Sequence, residues 1–226
     1  MADNCFVIAE AGINHNGNYD VAKELVDAAV YAGADAVKFQ TWMPGELRYK
    51  NIGLIDTIRL AQYCDYKHIL FLSTPHSFKA IDFLDDIVPM YKIASPFLLN
   101  HDFLYRVASK KKTVLLSTGS LKHDDGMATD TEITDALLCL RGTKVILMHC
   151  VSKYPCMDSC LYRIDELKEF GKEVGLSDHT KNTVVDVDVP VLEKHLMLPG
   201  VDCVDSKVSL TPDEFRMLVK HVRGRQ

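Results

Sequence analysis

Val174-Gly175-Leu176-Ser177-Asp178-His179-Thr180, followed after a spacer by Val191-Leu192-Glu193-Lys194-His195, decides how this chain is read. Each piece is a short apolar run that stops abruptly in ionisable residues. A parallel strand buried on both faces has this pattern when its carboxyl end opens into a site. Two successive strands thus deliver a histidine at the same end. Neutral imidazole is a common ligand for divalent metals, so His179 and His195 read as a pair sharing one ion, flanked by Asp178 and Glu193. The competing reading, two hydrogen-bonded core histidines, suits one such residue better than two.

Outward from these pieces the same alternation fills the chain. A first strand, 6–9, ends in Glu10-Ala-Gly-Ile-Asn14-His15-Asn16-Gly17. Asp20 is the expected cap of a helix bearing Val21, Leu25, Ala28, Ala29 and Ala32 at helical spacing, and Gly33 ends it. A second strand from Ala36 carries Lys38, Gln40 and Thr41 at its end. Strands are then expected over 68–72, 89–93, 113–116 and 144–148, with helices over 56–66, 78–86, 101–110, 130–140 and 158–170. A last helix, 211–222, carries Thr211 and Asp213 as capping residues. Eight strand and helix units predict an α/β fold with a parallel sheet, closed as a (β/α)8 TIM barrel of one domain over 1–226. An open doubly wound sheet is disfavoured, because no glycine-rich phosphate loop follows the first strand. Only 181–192 separates the two histidine-bearing ends, and Pro190 restricts it further. A crossover with its helix needs about ten residues or more, so helix seven is expected to be shortened or absent.

The composition limits the function classes. The chain has 226 residues, 47% hydrophobic and 25% charged, with net charge −5, which predicts a sizeable core and offers no footprint for nucleic acid. Lys110-Lys111-Lys112 reads as a solvated helix end. No apolar run is long enough to span a membrane. Met1-Ala-Asp-Asn-Cys5 has no signal-peptide layout, and seven scattered cysteines predict free thiols and a cytoplasmic setting. His149, Cys150, Cys156 and Cys160 do not follow a paired zinc-ligand spacing.

In a barrel the strand ends share one face. That face gathers Glu10, Lys38, Gln40, Thr74, Lys92, Ser95, Ser117, Ser152, Tyr154, Ser177, His179, Glu193 and His195. An unpaired buried ammonium is costly, so Lys38 and Lys92 are expected to face a bound anion or the carboxylates of Glu10 and Glu193. Two lysines among hydroxyls suit phosphate. A Schiff-base lysine is the alternative, which two histidines make unnecessary.

These residues sit in motifs. Phe6-Val-Ile-Ala-Glu10-Ala-Gly-Ile-Asn14-His-Asn-Gly17, Gly33-Ala-Asp-Ala-Val-Lys38-Phe-Gln40-Thr41, Tyr91-Lys92-Ile-Ala-Ser95, Leu116-Ser117-Thr-Gly119, His149-Cys150 with Tyr154-Pro155, Gly175-Leu-Ser-Asp-His179-Thr180 and Glu193-Lys-His195 follow one another through nearly the whole chain. Together they resemble the N-acetylneuraminate (sialic acid) synthase family. The resemblance implies a barrel that condenses phosphoenolpyruvate with an open-chain amino sugar, releasing phosphate and using a divalent metal, manganese first with magnesium or cobalt as alternatives. It implies His179 and His195 as metal ligands. Lys38, Thr74, Lys92, Ser95, Ser117 and Ser177 would surround phosphoenolpyruvate, with Ser152 beside them. Gln40, Tyr154 and Asp205 would lie near the sugar, and Glu10 and Glu193 would be the site carboxylates.

Departures from the family pattern fall on the sugar side. Phe97 stands where the family carries an acidic residue, which predicts an apolar wall and poor use of N-acetylmannosamine. A loop is cut short after Leu47. Asp205-Ser206-Lys207 lacks the histidine that follows the aspartate in the family, and the C-terminal antifreeze-like domain is missing. A homo-oligomer or a separate subunit is then expected to complete the acceptor site. The competing functions are a homologue that binds phosphoenolpyruvate or a phosphosugar without turnover, and a metal-dependent keto-acid lyase.

Overall fold

The computed structural model describes residues 5–46, 51–157 and 159–224. Leu47, where the shortened loop was expected to begin, lies outside them. In chain order the elements are β1 (Phe6–Gly12), α1 (Tyr19–Ala32), β2 (Ala36–Thr41), α2 (Leu54–Tyr66), β3 (Leu70–Pro75), α3 (Phe78–Leu84), β4 (Met90–Ile93), α4 (His101–Ala108), β5 (Thr113–Ser117), α5 (Asp130–Cys139), β6 (Val145–His149), α6 (Arg163–Lys168), β7 (Glu173–Asp178), β8 (Val191–His195) and α7 (Pro212–Arg223). All strand pairs are parallel, in the order β3-β2-β1-β8-β7-β6-β5-β4. β3 and β4 lie side by side at the seam, so the eight strands form a nearly closed barrel.

The two faces of each strand separate by the two-residue period of the pleat. One set, including Val7, Ala9, Val37, Phe39, Tyr91, Ile93, Val114, Leu147, Leu176 and Leu192, packs against the helices. The other set faces the lumen, where Ile8, Ala36, Leu72, Leu115, Ile146, Met148 and Val191 form an apolar floor. Two residues further along the same strands come Glu10, Lys38, Thr74, Ser117 and Glu193, all buried. The apolar floor excludes water from below, and the polar layer above it is the base of the site.

Several local expectations are corrected. Asn18, not Asp20, caps α1, its side chain accepting from the backbone N–H of Asp20 and Val21. At α7, Thr211 is the cap and Glu214, not Asp213, is its reciprocal partner. His68 takes a left-handed turn (φ 57°), so β3 begins at Leu70 and runs on to Pro75. Cys160 is also left-handed (φ 50°), which delays α6 to Arg163. In the lysine cluster only Lys111 is exposed as expected. Lys110 pairs with Asp82 (2.9 Å) and Asp85 (3.0 Å), and Lys112 pairs with Asp85 (3.2 Å).

No helix joins β7 to β8. The connection is an extended strap in which Val185, Val187 and Val189 turn inward onto the core while Asp186 and Asp188 face solvent. Alternating β-branched residues suit such a chain and do not suit a helix. Under this strap, Asp178 and Lys194 stand opposite each other in register on the outer faces of β7 and β8. They form a fully buried ion pair (2.5 Å), and Lys194 also donates to the carbonyl of Thr180 (2.6 Å). Thr180 in turn donates its N–H and hydroxyl to Asp178 (both 2.9 Å). Asp178 therefore does not flank the histidine site, as expected from sequence; it pins the strap from the other side of the sheet.

Removing one member of such a pair leaves a buried charge unmatched, whereas removing both charges is far less costly. Lys194→Met is expected to lower unfolding free energy in urea by about 3–5 kcal/mol, and Asp178→Asn/Lys194→Met to recover most of that loss. A single variant no less stable than the surface control Lys79→Met would show that the pair is not holding the strap.

Candidate active site

All fourteen residues singled out from the sequence line one cavity of about 440 Å³ at the carboxyl ends of the strands. Its base is a charge network. Lys38 Nζ lies 2.6 Å from Glu10 Oε2 and 3.6 Å from Glu193 Oε2, and donates to Thr74 (3.1 Å). Lys92 donates to Glu193 Oε1 (3.0 Å), which also accepts from Ser177 (2.9 Å). These groups come from β1, β2, β3, β4, β7 and β8, so no single element builds the network.

The two glutamates are in unlike states. Burial would raise Glu193, but the ammoniums of Lys38 and Lys92, with the Lys92 and Ser177 hydrogen bonds, more than reverse this and hold it well below the usual carboxylate range. Glu10 is pushed up to about 7, by burial first and then by the charge of Glu193, with Lys38 offsetting only part. Burial opposes the charge on Lys38, yet its two glutamates raise its pKa. A carboxyl that titrates near neutrality beside one that stays ionised is an acid–base arrangement.

The histidines stand beside this network with ring centroids 5.5 Å apart. His179 Nδ1 donates to the carbonyl of Val151 (2.8 Å), which leaves the lone pair on Nε2, where it accepts from the Tyr154 hydroxyl (2.9 Å). The Tyr154 ring is half-exposed at the mouth. Burial lowers His179 to about 4, and burial together with His179 places His195 well below its ordinary value. Both rings are therefore neutral at physiological pH. His195 Nδ1 is buried without a hydrogen-bond partner, 3.5 Å from Asp205 Oδ2. Two neutral imidazoles, one tautomer fixed by a backbone carbonyl, are a donor set that fits a divalent ion. Among the described residues, no group of three or more His, Cys, Asp or Glu side chains gathers as a metal cage.

Two glycines show how tightly the rest converges. A Cβ on Gly119 would lie 2.3 Å from Ser152 Oγ, 2.7 Å from Ser95 Oγ and 2.8 Å from Cys150 Sγ. A Cβ on Gly12 (φ +51°) would meet Glu10 Oε1 at 3.2 Å, Asp205 Oδ2 at 3.4 Å and Gln40 Nε2 at 3.6 Å. Asp205 is placed from a distance: Asn14, in the loop after β1, accepts from its backbone N–H (3.3 Å) and donates to Leu196 O (2.9 Å) and Ser209 Oγ (3.1 Å). Of the zinc-like group, His149 bonds the carbonyl of Ser159 (2.6 Å) and Cys150 contacts Ser95 (3.3 Å) inside the cavity.

Phe97 does not line the cavity. It stacks on Phe103 (4.3 Å) and meets His76 edge-on (5.7 Å), packed against the core. The apolar acceptor wall expected from Phe97 is therefore not there. The aromatic part of the cavity lining is made instead by Trp42 and His76, which stack at 3.8 Å and 11°. Sequence reasoning missed both. His76 closes a strand end as the other site residues do, which was the available signal; Trp42 follows the polar end of β2 and had none.

Known proteins agree with this geometry. The NeuB family model matches residues 51–226. The N,N'-diacetyllegionaminic acid synthase of Campylobacter jejuni is 32% identical over 263 positions, covering 97% of this chain and 76% of that protein. That alignment is longer than the 226-residue chain, so the relative carries segments absent here. The crystal structure of the N-acetylneuraminic acid (sialic acid) synthetase of Leptospira borgpetersenii, in complex with citrate, superposes with a TM-score of 0.87 at 30% identity, over 99% of this chain and 84% of that one. A truncated 3-deoxy-D-arabino-heptulosonate 7-phosphate synthase of Thermotoga maritima (TM-score 0.73, 14% identity) shares the fold alone. With its motifs in order along the chain, its barrel nearly closed and its charge network beside two neutral imidazoles, this protein belongs to the NeuB family of sugar acid synthases.

Proposed function

We propose that the chain condenses phosphoenolpyruvate with an open-chain sugar aldehyde, in the presence of a divalent metal, to give a 2-keto-3-deoxy acid and phosphate. The observation that carries this reading is the buried Lys38–Glu10–Glu193–Lys92 network beside two neutral histidines. Relatives named as legionaminic, pseudaminic and N-acetylneuraminate-9-phosphate synthases support a sugar acceptor of the same class. The localisation that fits is the cytoplasm; among the described residues no helix is long and apolar enough to cross a membrane.

Lys38 and Lys92, with Thr74, Ser95, Ser117 and Ser177, hold the phosphate and carboxylate of phosphoenolpyruvate. Both lysines are already buried and oriented, so little reorganisation accompanies the build-up of charge. Glu193 stays ionised and fixes them. His179 and His195 hold the divalent ion, manganese or in its place magnesium or cobalt, which when bound polarises the acceptor carbonyl as a Lewis acid. Gln40, Tyr154, Ser152 and Asp205 orient the acceptor over the alkene. The alkene carbon attacks the aldehyde carbon, water adds at the second carbon of the former enol, and the resulting tetrahedral species loses phosphate. Glu10, titrating near neutrality and protonated in the complex, gives its proton to the aldehyde oxygen as the carbon–carbon bond forms and regains one from the water that adds; the remaining hydroxyl proton of the tetrahedral species leaves with the phosphate.

Phosphate release measured with phosphoenolpyruvate, Mn²⁺ and a panel of aldehydes tests the reading. Binding without release supports a non-catalytic homologue, and cleavage of a keto acid without phosphoenolpyruvate supports a lyase. His179→Ala and His195→Ala are each expected to abolish turnover and to weaken Mn²⁺ binding, read by electron paramagnetic resonance, with an unchanged circular dichroism spectrum. Undiminished Mn²⁺ affinity in either variant would place the metal elsewhere.

Lys92→Ala is expected to raise the calorimetric Kd for phosphoenolpyruvate by roughly 10- to 100-fold, the range of one lost charge-assisted hydrogen bond, while exposed Lys79→Ala changes it little. Equal effects would reject the phosphate assignment.

Glu10 gives a pH signature. A polyanion bound beside it favours its protonated form. Below about pH 7 the carboxyl already holds its proton and binding takes up none; above that, binding phosphoenolpyruvate draws in up to one proton and affinity falls as pH rises. Calorimetry in buffers of different ionisation enthalpy should show this uptake in the native protein and not in Glu10→Gln. Uptake persisting in Glu10→Gln assigns the proton to another group.

A further inference from the structure

One peptide unit of the connection between β6 and α6 is gripped from both sides. Its N–H, that of Ser152, donates to the carbonyl of Gly126 (2.9 Å), and its C=O, that of Val151, accepts from Nδ1 of His179 (2.8 Å). The unit is planar and trans, so its N–H and C=O point in opposite directions and turn together. Whatever fixes one therefore fixes the other. Gly126 is buried and closes the 120–126 loop, which the Gly119–Met127 bridge ties off at its base. The Gly126 carbonyl also accepts from Ser120 N–H (2.9 Å), and its own N–H donates to the carbonyl of His123 (2.9 Å). His123 Nε2 in turn lies 2.9 Å from Glu132 Oε2 on α5. The anchor is thus held independently of the connection that it grips. On the other side, Val151 packs with Met127 and Cys156, and the N–H of Cys156 donates to the carbonyl of His179 (3.1 Å).

We infer that Gly126 is a positioning residue for His179, acting through the Val151–Ser152 peptide to keep the histidine's Nε2 lone pair aimed into the cavity. That His179 is a metal ligand rests on the synthase reading; the aiming of its ring does not. An imidazole whose Nδ1–H is engaged by a carbonyl keeps its lone pair on Nε2 and is held in one orientation. Once that carbonyl moves, the other tautomer is freed, with the proton on Nε2 and no lone pair there to ligate. Only glycine serves at position 126. Its φ of +79° lies in the left-handed region, and a Cβ there would stand 3.0 Å from Val151 Cγ1 and 3.1 Å from the Ser152 nitrogen. That nitrogen is backbone and cannot rotate aside, so the gripped peptide itself must shift. Gly142 supplies the contrast: its φ is +84°, and a Cβ there would meet nothing within 4 Å. Alanine strains the backbone at both positions, but only at 126 does it push on the peptide that holds His179.

The test compares Gly126→Ala with Gly142→Ala. Proton–nitrogen correlation spectra of the metal-free proteins read the His179 ring, identified by the signals lost in His179→Gln. The native protein and Gly142→Ala should show a protonated Nδ1 and a bare Nε2, whereas Gly126→Ala should show the proton shared between the two nitrogens. Mn²⁺ binding, read by electron paramagnetic resonance, should be about tenfold weaker in Gly126→Ala and within about twofold of native in Gly142→Ala, as for the loss of an outer partner of a ligating histidine. Thermal melts show which variants fold. Asparagine enters the left-handed region more readily than alanine, so Gly126→Asn and Gly142→Asn repeat the comparison should Gly126→Ala not fold. A His179 tautomer unchanged in the Gly126 variant, or an Mn²⁺ affinity that falls equally in the Gly142 variant, overturns the inference. The same spectra separate the two readings. If Mn²⁺ does not broaden the His179 signals of the native protein, the metal assignment fails, and the tautomer comparison still decides the role of Gly126.

Discussion

Everything at the mouth of this barrel is arranged around four buried charges, two lysines and two glutamates within hydrogen-bonding reach of one another. A carboxylate or an ammonium cannot be left alone in such a place. Glu193 of β8 therefore meets Lys92 of β4 across the lumen, and Lys38 of β2 meets Glu10 of β1. A buried network of this kind adds little net stability over a well-packed apolar layer, because desolvation cancels most of the attraction. The apolar floor directly beneath it shows that the chain can fill this lumen with hydrocarbon. That it places charge here instead points to chemistry, and the opposed shifts of Glu10 and Glu193 indicate of what kind.

The same strands work differently on their outer faces. β7 and β8 deliver Ser177, His179, Glu193 and His195 inward, and Asp178 and Lys194 outward. In a full barrel a helix would cover that outer face. Here a valine-lined strap covers it, too thin to shield an unpaired charge, and the ion pair with Thr180 fixes the strap in place. The trimming of the barrel and the placement of its histidines are thus linked through one residue step along each strand.

The cavity has two unlike sides. Toward the base it is charged and hydroxyl-rich, which suits a small polyanion. Toward the mouth it is bounded by Trp42, His76 and the half-exposed Tyr154. The alignment with the relative from Campylobacter jejuni runs over more positions than this chain possesses, while all eight strands of the barrel are formed here. Lumen-facing strand ends tolerate little change, since each polar group there is another's partner. Loops around a mouth carry no such constraint.

How far the sequence could be read follows from these same facts. Period-two alternation with abrupt polar ends was enough to place eight parallel strands, the missing seventh helix and thirteen of the fourteen cavity residues, because in a barrel every strand's carboxyl end must reach the same face; Asp205 came only from the family resemblance. Local signals were enough for the capping Thr211 and for Gly33, whose positive φ closes α1. Sequence order could not say which neighbour each polar residue would meet. Asp178 sits next to His179 in the chain, yet the pleat sends it to the opposite face and to Lys194. Phe97 is two residues from Ser95, yet a turn of 3-10 helix packs it against the core, and the aromatic lining of the cavity falls to Trp42 and His76, thirty-four positions apart in the chain. The sequence by itself determined the fold and the polar strand ends that line the cavity, since these follow from periodicity along each strand. Only the tertiary structure decided which charges pair, which carboxyl titrates near neutrality and which rings line the cavity, because those depend on distances between strands that no local pattern encodes.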